Sequence, residues 1–343
     1  EYDFFKDKGL HNESIDLGFN HKSGLFVNGG YTRNNHGGWQ GDLTGREKRW
    51  HPKDQALMNG MFGFQNRNMN VWYRLDFLDE KIFGPNNGSE LQPEKVSDKD
   101  FLTKRYTHQL QSDWKLDNRL DVHAALSYQD YKRRTRTTES DLSTGEKWLS
   151  SAEASQDITQ YKAWIARATV AWNIAPEFSV QPGVEYQWTQ GEGGRIDGTP
   201  KVSDLAFFLS AEYKPWEWLS LRPGVRTFIV ADYDAPIAIP SVLTKFKLTK
   251  HMDLRLSYAY GFRSPTLQEL YFSFHNDNHD IDGNPDLKAE YSHNITGSVA
   301  YRVLHSEKIH LTTTLSGFYN DFRDKISLAQ NVDIPNYNTY YNI

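Results

Sequence analysis

The sequence predicts an all-β protein, specifically a membrane-spanning antiparallel β-barrel. Three observations predict this fold class. Apolar and polar residues alternate with a period of two in many segments, aromatic residues are abundant in a chain of low mean hydropathy, and short connections alternate with long ones. Tyr, Phe and Trp number 19, 19 and 10 among 343 residues, although the mean hydropathy is −0.71.

The alternation gives each predicted strand one apolar face and one polar face. In residues 252–262 one face carries Leu254, Leu256 and Tyr258, and the opposite face carries Asp253 and Arg255. A charge at the centre of the bilayer costs about 2–4 kcal/mol in such barrels, so the apolar faces are expected to meet lipid. The polar faces then line a wet lumen, which predicts a wide barrel, because a narrow one fills its interior with side chains.

Short connections alternate with long polar ones along the chain. The long ones cover residues 35–53, 83–99, 139–156, 189–202 and 262–286. Outer-membrane barrels have short periplasmic turns and long external loops, so the pattern predicts about fourteen strands joined as hairpins. Residues 1–343 are therefore expected to form one partial outer-membrane β-barrel domain with long extracellular loops. Further strands are expected outside it, because unpaired strand edges are costly in lipid.

Composition and motifs argue against several other classes of protein. The net charge of −5 gives no sign of nucleic-acid binding, and the absence of cysteine excludes disulfides and thiolate metal sites. No run approaches the roughly 20 apolar residues of a membrane helix. No G-x-S-x-G, H-E-x-x-H or P-loop motif is present, so an enzyme is not expected. An outer-membrane barrel enzyme and a passive porin remain the alternatives from other functional classes.

Residues 261–290, GFRSPTLQELYFSFHNDNHDIDGNPDLKAE, resemble the paired motifs of TonB-dependent outer-membrane receptors. The first motif comprises Phe262, Arg263, Ser264 and Pro265, and the second comprises Asn284, Pro285, Asp286 and Leu287. Residues 133–151 are similar to receptors of this type from Bacteroidetes-like bacteria. The resemblance implies a 22-stranded barrel in the outer membrane of a Gram-negative bacterium. It also implies import of a scarce nutrient powered by the TonB complex through a plug domain, which is expected to lie outside this sequence.

The resemblance further implies a ligand and the residues that bind it. In haem receptors of this family a histidine between the two motifs ligates haem iron, and both His275 and His279 lie in that interval. A neutral imidazole ligates iron through either nitrogen. His279 is the preferred ligand, His275 is the alternative, and Arg263 and Tyr271 are expected to contact the transported molecule. Solvated histidines in an Asn/Asp-rich loop remain the competing interpretation.

Haem is thus the expected transported ligand, with cobalamin or a siderophore as alternatives. We expect no permanently bound cofactor, and no resident metal site is assigned. The basic run formed by Lys132, Arg133, Arg134 and Arg136 either faces anionic lipopolysaccharide or is an ordinary solvated rim. The resemblance also implies a surface lipoprotein that passes ligand to the long loops.

Overall fold

A computed structural model describes residues 9–152, 155–231, 233, 235–276, 279–305, 309–331, 334 and 337–343, with only the backbone at residues 230, 231, 276, 279 and 305. Nearly all of the regular structure in these residues is β-strand. They contain no helix that is long and apolar enough to cross a membrane.

One antiparallel wall contains most of the strands. Fourteen strands pair in chain order, and a fifteenth, short strand pairs with the sixth. The first seven are β1 (Leu10–Asn20), β2 (Leu25–His36), β3 (Lys53–Gln65), β4 (Met69–Gly84), β5 (Lys95–Lys115), β6 (Leu120–Asp141) and the short β7 (Lys147–Leu149). The others are β8 (Ile158–Ala175), β9 (Phe178–Glu192), β10 (Lys201–Trp216), β11 (Leu219–Ala231), β12 (Ile239–Lys247), β13 (Met252–Arg263), β16 (Glu290–His305) and β17 (His310–Arg323).

A second, smaller structure interrupts this wall after β13. It contains the helix α1 (Leu267–Tyr271) and a four-stranded sheet in the order β14-β15-β19-β18. Its strands are β14 (Ser273–Asn276), β15 (His279–Asp282), β18 (Ile326–Gln330) and β19 (Tyr337–Asn342). β15 and β19 are parallel, whereas the other pairs are antiparallel. We call α1 and these four strands the rim subdomain.

The outward face of the wall is apolar and exposed, as the sequence predicts. The side chains of Leu17, Phe62 and Leu315 are 72%, 60% and 77% exposed, respectively. Trp164 and Trp172 lie on this face of β8, about 26 Å apart along the strand at 3.3 Å per residue. That separation suits two aromatic girdles flanking the roughly 25 Å apolar band of an outer-membrane barrel.

The inward face is polar and charged. Glu185 of β9 accepts hydrogen bonds from Arg167 of β8 and from Arg226 of β11, the second at 2.8 Å between Oε1 and Nη2. Only 3% of the Glu185 side chain is exposed, although it sits on the concave side of the wall. A paired carboxylate of this kind is stable away from bulk water because two guanidinium groups saturate its oxygens.

Strand lengths differ from the sequence prediction near the external end. β5 and β6 contain 21 and 22 residues, so parts of the segments predicted as the loops 83–99 and 139–156 are strand. Above the lipid both strand faces are polar, which removes the alternation that marks a strand in sequence. The segment 262–286, predicted as a loop, contains α1, β14 and β15.

Gly183 is expected to be intolerant of a side chain. A Cβ atom there would lie 2.2 Å from Cζ of Phe208 on β10 and 2.9 Å from the Ala168 carbonyl oxygen. We expect Gly183→Ala to lower the free energy of unfolding by about 1–3 kcal/mol, because the ring and strand must move apart. Gly317→Ala is the control, since a Cβ there meets nothing within 4 Å. Thermal unfolding in detergent measures both, and equal transition temperatures would contradict the prediction.

Candidate functional site

The two sequence motifs lie at the two ends of one excursion from the wall. β13 ends at Arg263 and β16 begins at Glu290, and these residues are direct partners in the β13–β16 ladder. The 26 residues between them, 264–289, therefore leave the wall and return to it at the same position. The ladder brings the first motif beside the residues that follow the second.

Arg263 joins the two ends through two forked ion pairs. Its Nε and Nη2 donate to the two carboxylate oxygens of Glu290 at 2.8 and 2.6 Å. Its Nη1 and Nη2 donate to Glu269 in α1 at 2.9 and 3.1 Å. Glu290 also accepts a bond from the backbone N–H of Ile326 at the start of β18. Bidentate guanidinium–carboxylate pairs are strong and fix orientation, so Arg263 holds α1, β16 and β18 together.

A capping box starts α1 at a defined residue. The Thr266 hydroxyl accepts the backbone N–H of Glu269 at 3.2 Å, and Glu269 accepts the backbone N–H of Thr266 at 2.7 Å. Burial alone would raise the pKa of Glu269, but the hydrogen bonds from Arg263 and Thr266 outweigh it and hold the pKa below its ordinary value. Glu269 is therefore a carboxylate that both starts the helix and binds Arg263.

The second motif is a turn that anchors the rim sheet. The Asn284 backbone N–H donates to the Glu269 carbonyl at 2.9 Å, and its side-chain Nδ2 donates to the Tyr340 carbonyl of β19 at 2.9 Å. Leu287 packs with Leu270 and Ile326 in a small buried core, in which each is at most 8% exposed. Asn284 and Leu287 thus serve the architecture of the rim.

The rim subdomain extends over the mouth of the wall toward β9. Asp197, in the connection after β9, donates its backbone N–H to the Tyr271 carbonyl at 3.0 Å. The backbone N–H of Ser273 donates to the Arg195 carbonyl at 3.1 Å, and Ile196 and Phe272 form an isolated bridge. These contacts link β13 to a connection four strands away in the wall and bring β14 over the lumen.

A cavity of about 590 Å³ lies between β14 and the external ends of β5, β6 and β8. Two arginine–phenylalanine pairs face it. The Arg133 guanidinium lies 4.4 Å from the ring centre of Phe101, and that of Arg195 lies 4.2 Å from the ring centre of Phe274. Such pairs present a flat apolar surface edged with positive charge. Small-molecule binding sites typically have volumes of about 300–1,000 Å³. We call this cavity the rim pocket.

The rim pocket carries an excess of positive charge. Lys99, Arg133 and Arg195 line it, and none of them forms an ion pair with a described carboxylate. Asp157 is the acidic lining residue, and its two oxygens already accept bonds from the Gly194 backbone N–H and the Thr159 hydroxyl at 2.6 and 2.7 Å. The pocket therefore favours an anionic ligand.

His275 also lines the rim pocket, with both ring nitrogens bonded. Nδ1 lies 2.5 Å from Asp280, and Nε2 lies 3.1 Å from both Asp282 and the Ser273 hydroxyl. The hydrogen bond to Asp280, together with the charge of Asp282, raises the pKa of His275 above its ordinary value. Two carboxylates thus stabilise the imidazolium, which cannot ligate a metal until it loses a proton.

The other residues predicted for the site are His279, Tyr271 and Arg263. The His279 backbone pairs with Asn276 in the β14–β15 hairpin, and its side chain lies outside the described residues. Tyr271 ends α1 and packs against the buried rim core. Arg263 binds Glu269 and Glu290 with 40% of its side chain exposed. No cluster of three His, Asp or Glu able to hold a metal occurs among the described residues.

Sequence reasoning missed the arginine–phenylalanine pairs. In the sequence Arg133 stands out only as part of a basic run, and Phe101, Arg195 and Phe274 belong to no motif. The one available signal was that Phe101 and Arg133 belong to strands that are neighbours in a hairpin, which places them together only once the register is known.

Comparison with known proteins decides the family. Residues 181–343 match the family described as TonB dependent receptor-like, beta-barrel. Residues 181–343 belong to the β-barrel of a TonB-dependent receptor. Barrels of this family lie in the outer membrane of Gram-negative bacteria, so the predicted family, fold class and location are confirmed. The count of 22 strands, the extent of the domain and the plug remain predictions.

Curated relatives match a short part of the receptor barrel. The hemoglobin and hemoglobin-haptoglobin-binding protein C of Haemophilus influenzae is 38% identical over 82 residues, which is 24% of this chain and 7% of that protein. The hemoglobin and hemoglobin-haptoglobin-binding protein of Haemophilus ducreyi is 38% identical over 78 residues, 23% of this chain and 8% of that protein. The match therefore spans under a tenth of each relative. The similarity of residues 133–151 to Bacteroidetes-like receptors stays a prediction.

Solved receptors share the fold of almost the whole chain. The siderophore receptor PirA of Pseudomonas aeruginosa aligns over 97% of this chain and 56% of its own, with a TM-score of 0.72 and 14% identity. The hemophore receptor HasR of Serratia marcescens aligns over 97% of this chain and 56% of its own, with a TM-score of 0.68 and 14% identity. At this identity the likeness concerns the fold.

Replacing Arg263 by lysine is expected to loosen the rim subdomain. Lysine cannot form two forked pairs, so Glu269 and Glu290 lose bonds while they remain mostly buried, at a cost of about 2 kcal/mol. Faster proteolytic cleavage within 264–289 measures the loss. The control is Arg33→Lys, because the Arg33–Asp54 pair is also forked but is about half exposed on both sides. Equal cleavage rates in the two variants would contradict the assignment of Arg263 as the rim anchor.

The β14–β15 hairpin is expected to depend on pH through His275. Because folding raises the pKa of His275, its stabilising contribution is complete below the unfolded pKa of about 6.5 and is lost as the pH rises through the folded pKa. Hydrogen exchange of the β14 and β15 amides, corrected for intrinsic rates, should show protection falling as the pH rises from about 6.5 through the folded pKa. His275→Gln should abolish the dependence. Protection that is constant across this range in the unmodified protein would refute it.

Proposed function

We propose that the receptor carrying this chain imports haem, and that the rim pocket is where its external loops first hold the haem. The observation that carries the proposal is the pair of arginine–phenylalanine surfaces facing one cavity. Haem is a flat macrocycle with two carboxylates at one edge. Its ring suits the phenylalanine faces, and its carboxylates suit Lys99, Arg133 and Arg195.

The names of the curated relatives support haem over other cargo. They are described as hemoglobin-binding or hemoglobin-haptoglobin-binding proteins, and one fold neighbour was solved with its hemophore and heme. Proteins that bind haemoglobin or a hemophore meet haem as their iron source. A protein partner that delivers the haem, whether a haem protein or a surface lipoprotein, is part of the proposal.

The two histidines have separate roles in this proposal. Asp280 and Asp282 favour the charged form of His275, which is therefore proposed to face the haem carboxylates. His279 is the proposed iron ligand because it lies between the two motifs, as the histidine of haem receptors in this family does. Tyr271 supports the hairpin through α1, and Arg263 positions α1 without touching the haem.

A ferric siderophore is the second candidate cargo. The same positive pocket would suit a ferric catecholate complex, which is anionic and aromatic, and the fold neighbours include receptors for ferric enterobactin and other siderophores. Cobalamin is less compatible with the rim pocket, because cobalamin does not present clustered carboxylates to match three cations.

The family supports energised import over catalysis or passive diffusion. A barrel wall has no energy source of its own, so uptake against a gradient requires coupling to TonB through a plug domain. We therefore propose TonB-driven transport, no catalytic activity and no permanently bound cofactor. The outward face is proposed to contact outer-membrane lipid and lipopolysaccharide.

The test is the absorption spectrum of the purified receptor titrated with haemin. We expect a shifted Soret band, its loss in His279→Ala and its retention in His275→Ala with weaker binding. Arg133→Gln combined with Arg195→Gln should weaken haemin binding by about tenfold or more, as expected for two charge-assisted contacts. Arg33→Gln combined with Arg49→Gln, which removes equal charge away from the pocket, serves as the control. Unshifted haemin together with tight binding of ferric enterobactin would overturn haem and favour the siderophore.

A further inference from the structure

Another cavity lies on the inward face of the wall, at the external ends of β1 to β4. Its volume is about 770 Å³, which is again the size of a small-molecule site. Leu17 of β1 and Phe62 of β3 are exposed on the outward face, so residues an odd number of positions away from them point inward. The lining residues Leu10, Asn12 and Lys53 obey this rule. The cavity therefore lies on the lumen side of the wall and not against lipid.

A row of four polar side chains crosses the wall at this cavity. The register places them side by side on β1 to β4, in the order Asn12, Asn34, Gln55 and Glu80. Glu80 accepts a hydrogen bond from Gln55 Nε2 at 2.7 Å, and Gln55 Oε1 accepts one from Asn34 Nδ2 at 2.9 Å. Because a carboxylate only accepts, Glu80 fixes the orientation of both amides. Asn34 Oδ1 and the Asn12 amide are left without a hydrogen-bond partner among the described residues. We call this cavity the amide cavity.

An exposed tryptophan from the connection between β2 and β3 lines the amide cavity. Trp50 is 63% exposed, although indole rings are among the side chains that gain most from leaving water. Its ring lies 5.5 Å from that of Trp39, which is 51% exposed, and 6.1 Å from that of His36. Lipid does not cover this ring, because the cavity is on the lumen side. An exposed aromatic surface in such a position indicates contact with a ligand.

The connection between β2 and β3 holds Trp50 in a defined position. The backbones of Trp39 and Trp50 exchange two hydrogen bonds at 2.9 and 3.0 Å. Gly38 has a φ of +85°, and a Cβ there would lie 2.9 Å from a proline ring, so glycine is required. Further along, Arg46 donates to both carboxylate oxygens of Asp98 on β5 at 3.0 and 2.6 Å. The aromatic surface is thus preorganised, which lowers the entropic cost of binding a ligand.

The amide cavity offers both donors and acceptors, with little net charge. Arg49 is paired with Asp42 at 2.5 Å, which leaves Lys53 as the lining cation without an ion pair among the described residues. His36 Nδ1 accepts the Gly38 backbone N–H at 3.1 Å, so the other ring nitrogen carries the proton in the neutral imidazole. An anion has only acceptors and cannot pair with the amide oxygens. A hydroxyl group both donates and accepts, and therefore matches this lining.

We propose that the amide cavity binds a short neutral oligosaccharide, with one sugar ring against Trp50 and hydroxyl groups on Asn12 and Asn34. The C–H face of a pyranose ring is apolar and packs on an aromatic face, whereas its edge carries hydroxyls that pair with amides. Leu10 and Ile82 add apolar surface to the lining. A free oligosaccharide and the end of a protein-borne glycan present the same chemistry to this cavity. The proposal is independent of the cargo of the rim pocket.

The test is saturation-transfer NMR and titration of the full-length receptor, solubilised in a detergent without a sugar headgroup. The probes are maltotriose and an asialoglycopeptide that ends in N-acetyllactosamine. Trp50→Ala should weaken binding by about tenfold or more, and Trp50→Phe should restore part of it, since an aromatic face remains. Asn12→Ala should weaken binding by about fivefold, as expected for one hydrogen bond. Trp148→Ala is the control, because Trp148 is 48% exposed on another external connection, and it should bind like the parent.

The two probes separate the sources of the sugar. Binding of maltotriose supports a free oligosaccharide, and binding of the asialoglycopeptide supports a protein-borne glycan. Binding of neither probe, or equal binding to Trp50→Ala and the parent, would overturn the proposal. Tighter binding of the sialylated form of the same glycopeptide would contradict a neutral ligand, because sialic acid adds a carboxylate. Haemin titration of Trp50→Ala should match the parent, which separates this result from the haem proposal.

Discussion

Backbone hydrogen bonding between neighbouring strands is the constraint from which the rest of the molecule follows. Within lipid no water is present to satisfy an unpaired N–H or C=O group, so each strand must pair with its neighbours along its length. Among the described residues, the strands from β2 to β16 in this wall, apart from the short β7, pair on both sides, whereas the edge strands β1 and β17 pair on one side only. Because the backbone groups of the strands inside the wall are used in pairing, ligand contacts there are left to side chains and to the external connections. The wall therefore supplies position, and the rim is where recognition is proposed.

The wall is predicted well from the sequence because a strand with lipid on one side and water on the other must alternate apolar and polar residues. Leu254 and Asp253 reveal their faces without any knowledge of the fold. The alternation ends above the lipid, where β5 and β6 continue with both faces exposed to water. The alternation also does not reveal α1, whose five residues are too few to show helical periodicity. A capping box at Thr266 and Glu269 was the local signal available for that helix.

The candidate site was predictable only in part, for a different physical reason. Arg263 and the two motifs could be found along the chain, but their meaning depends on the register that makes Arg263 the partner of Glu290. The rim pocket depends on contacts between Phe101 and Arg133, and between Arg195 and Phe274, across separate hairpins. Contacts of this kind belong to tertiary structure. The conspicuous histidines pointed to the segment that lines the rim pocket, whereas the cations and rings that shape this cavity were visible only in three dimensions.

The parallel pairing of β15 with β19 has a consequence for biogenesis. Between these two strands the chain crosses the membrane and returns, as the hairpin of β16 and β17. β19 reaches β15 only after that hairpin has been inserted, since loop closure between distant segments must wait for the intervening chain. The rim subdomain is thus completed late, after the wall beneath it. A partly inserted barrel would lack the β15–β19 pairing, so the cargo capture proposed for the rim would begin only once assembly is complete.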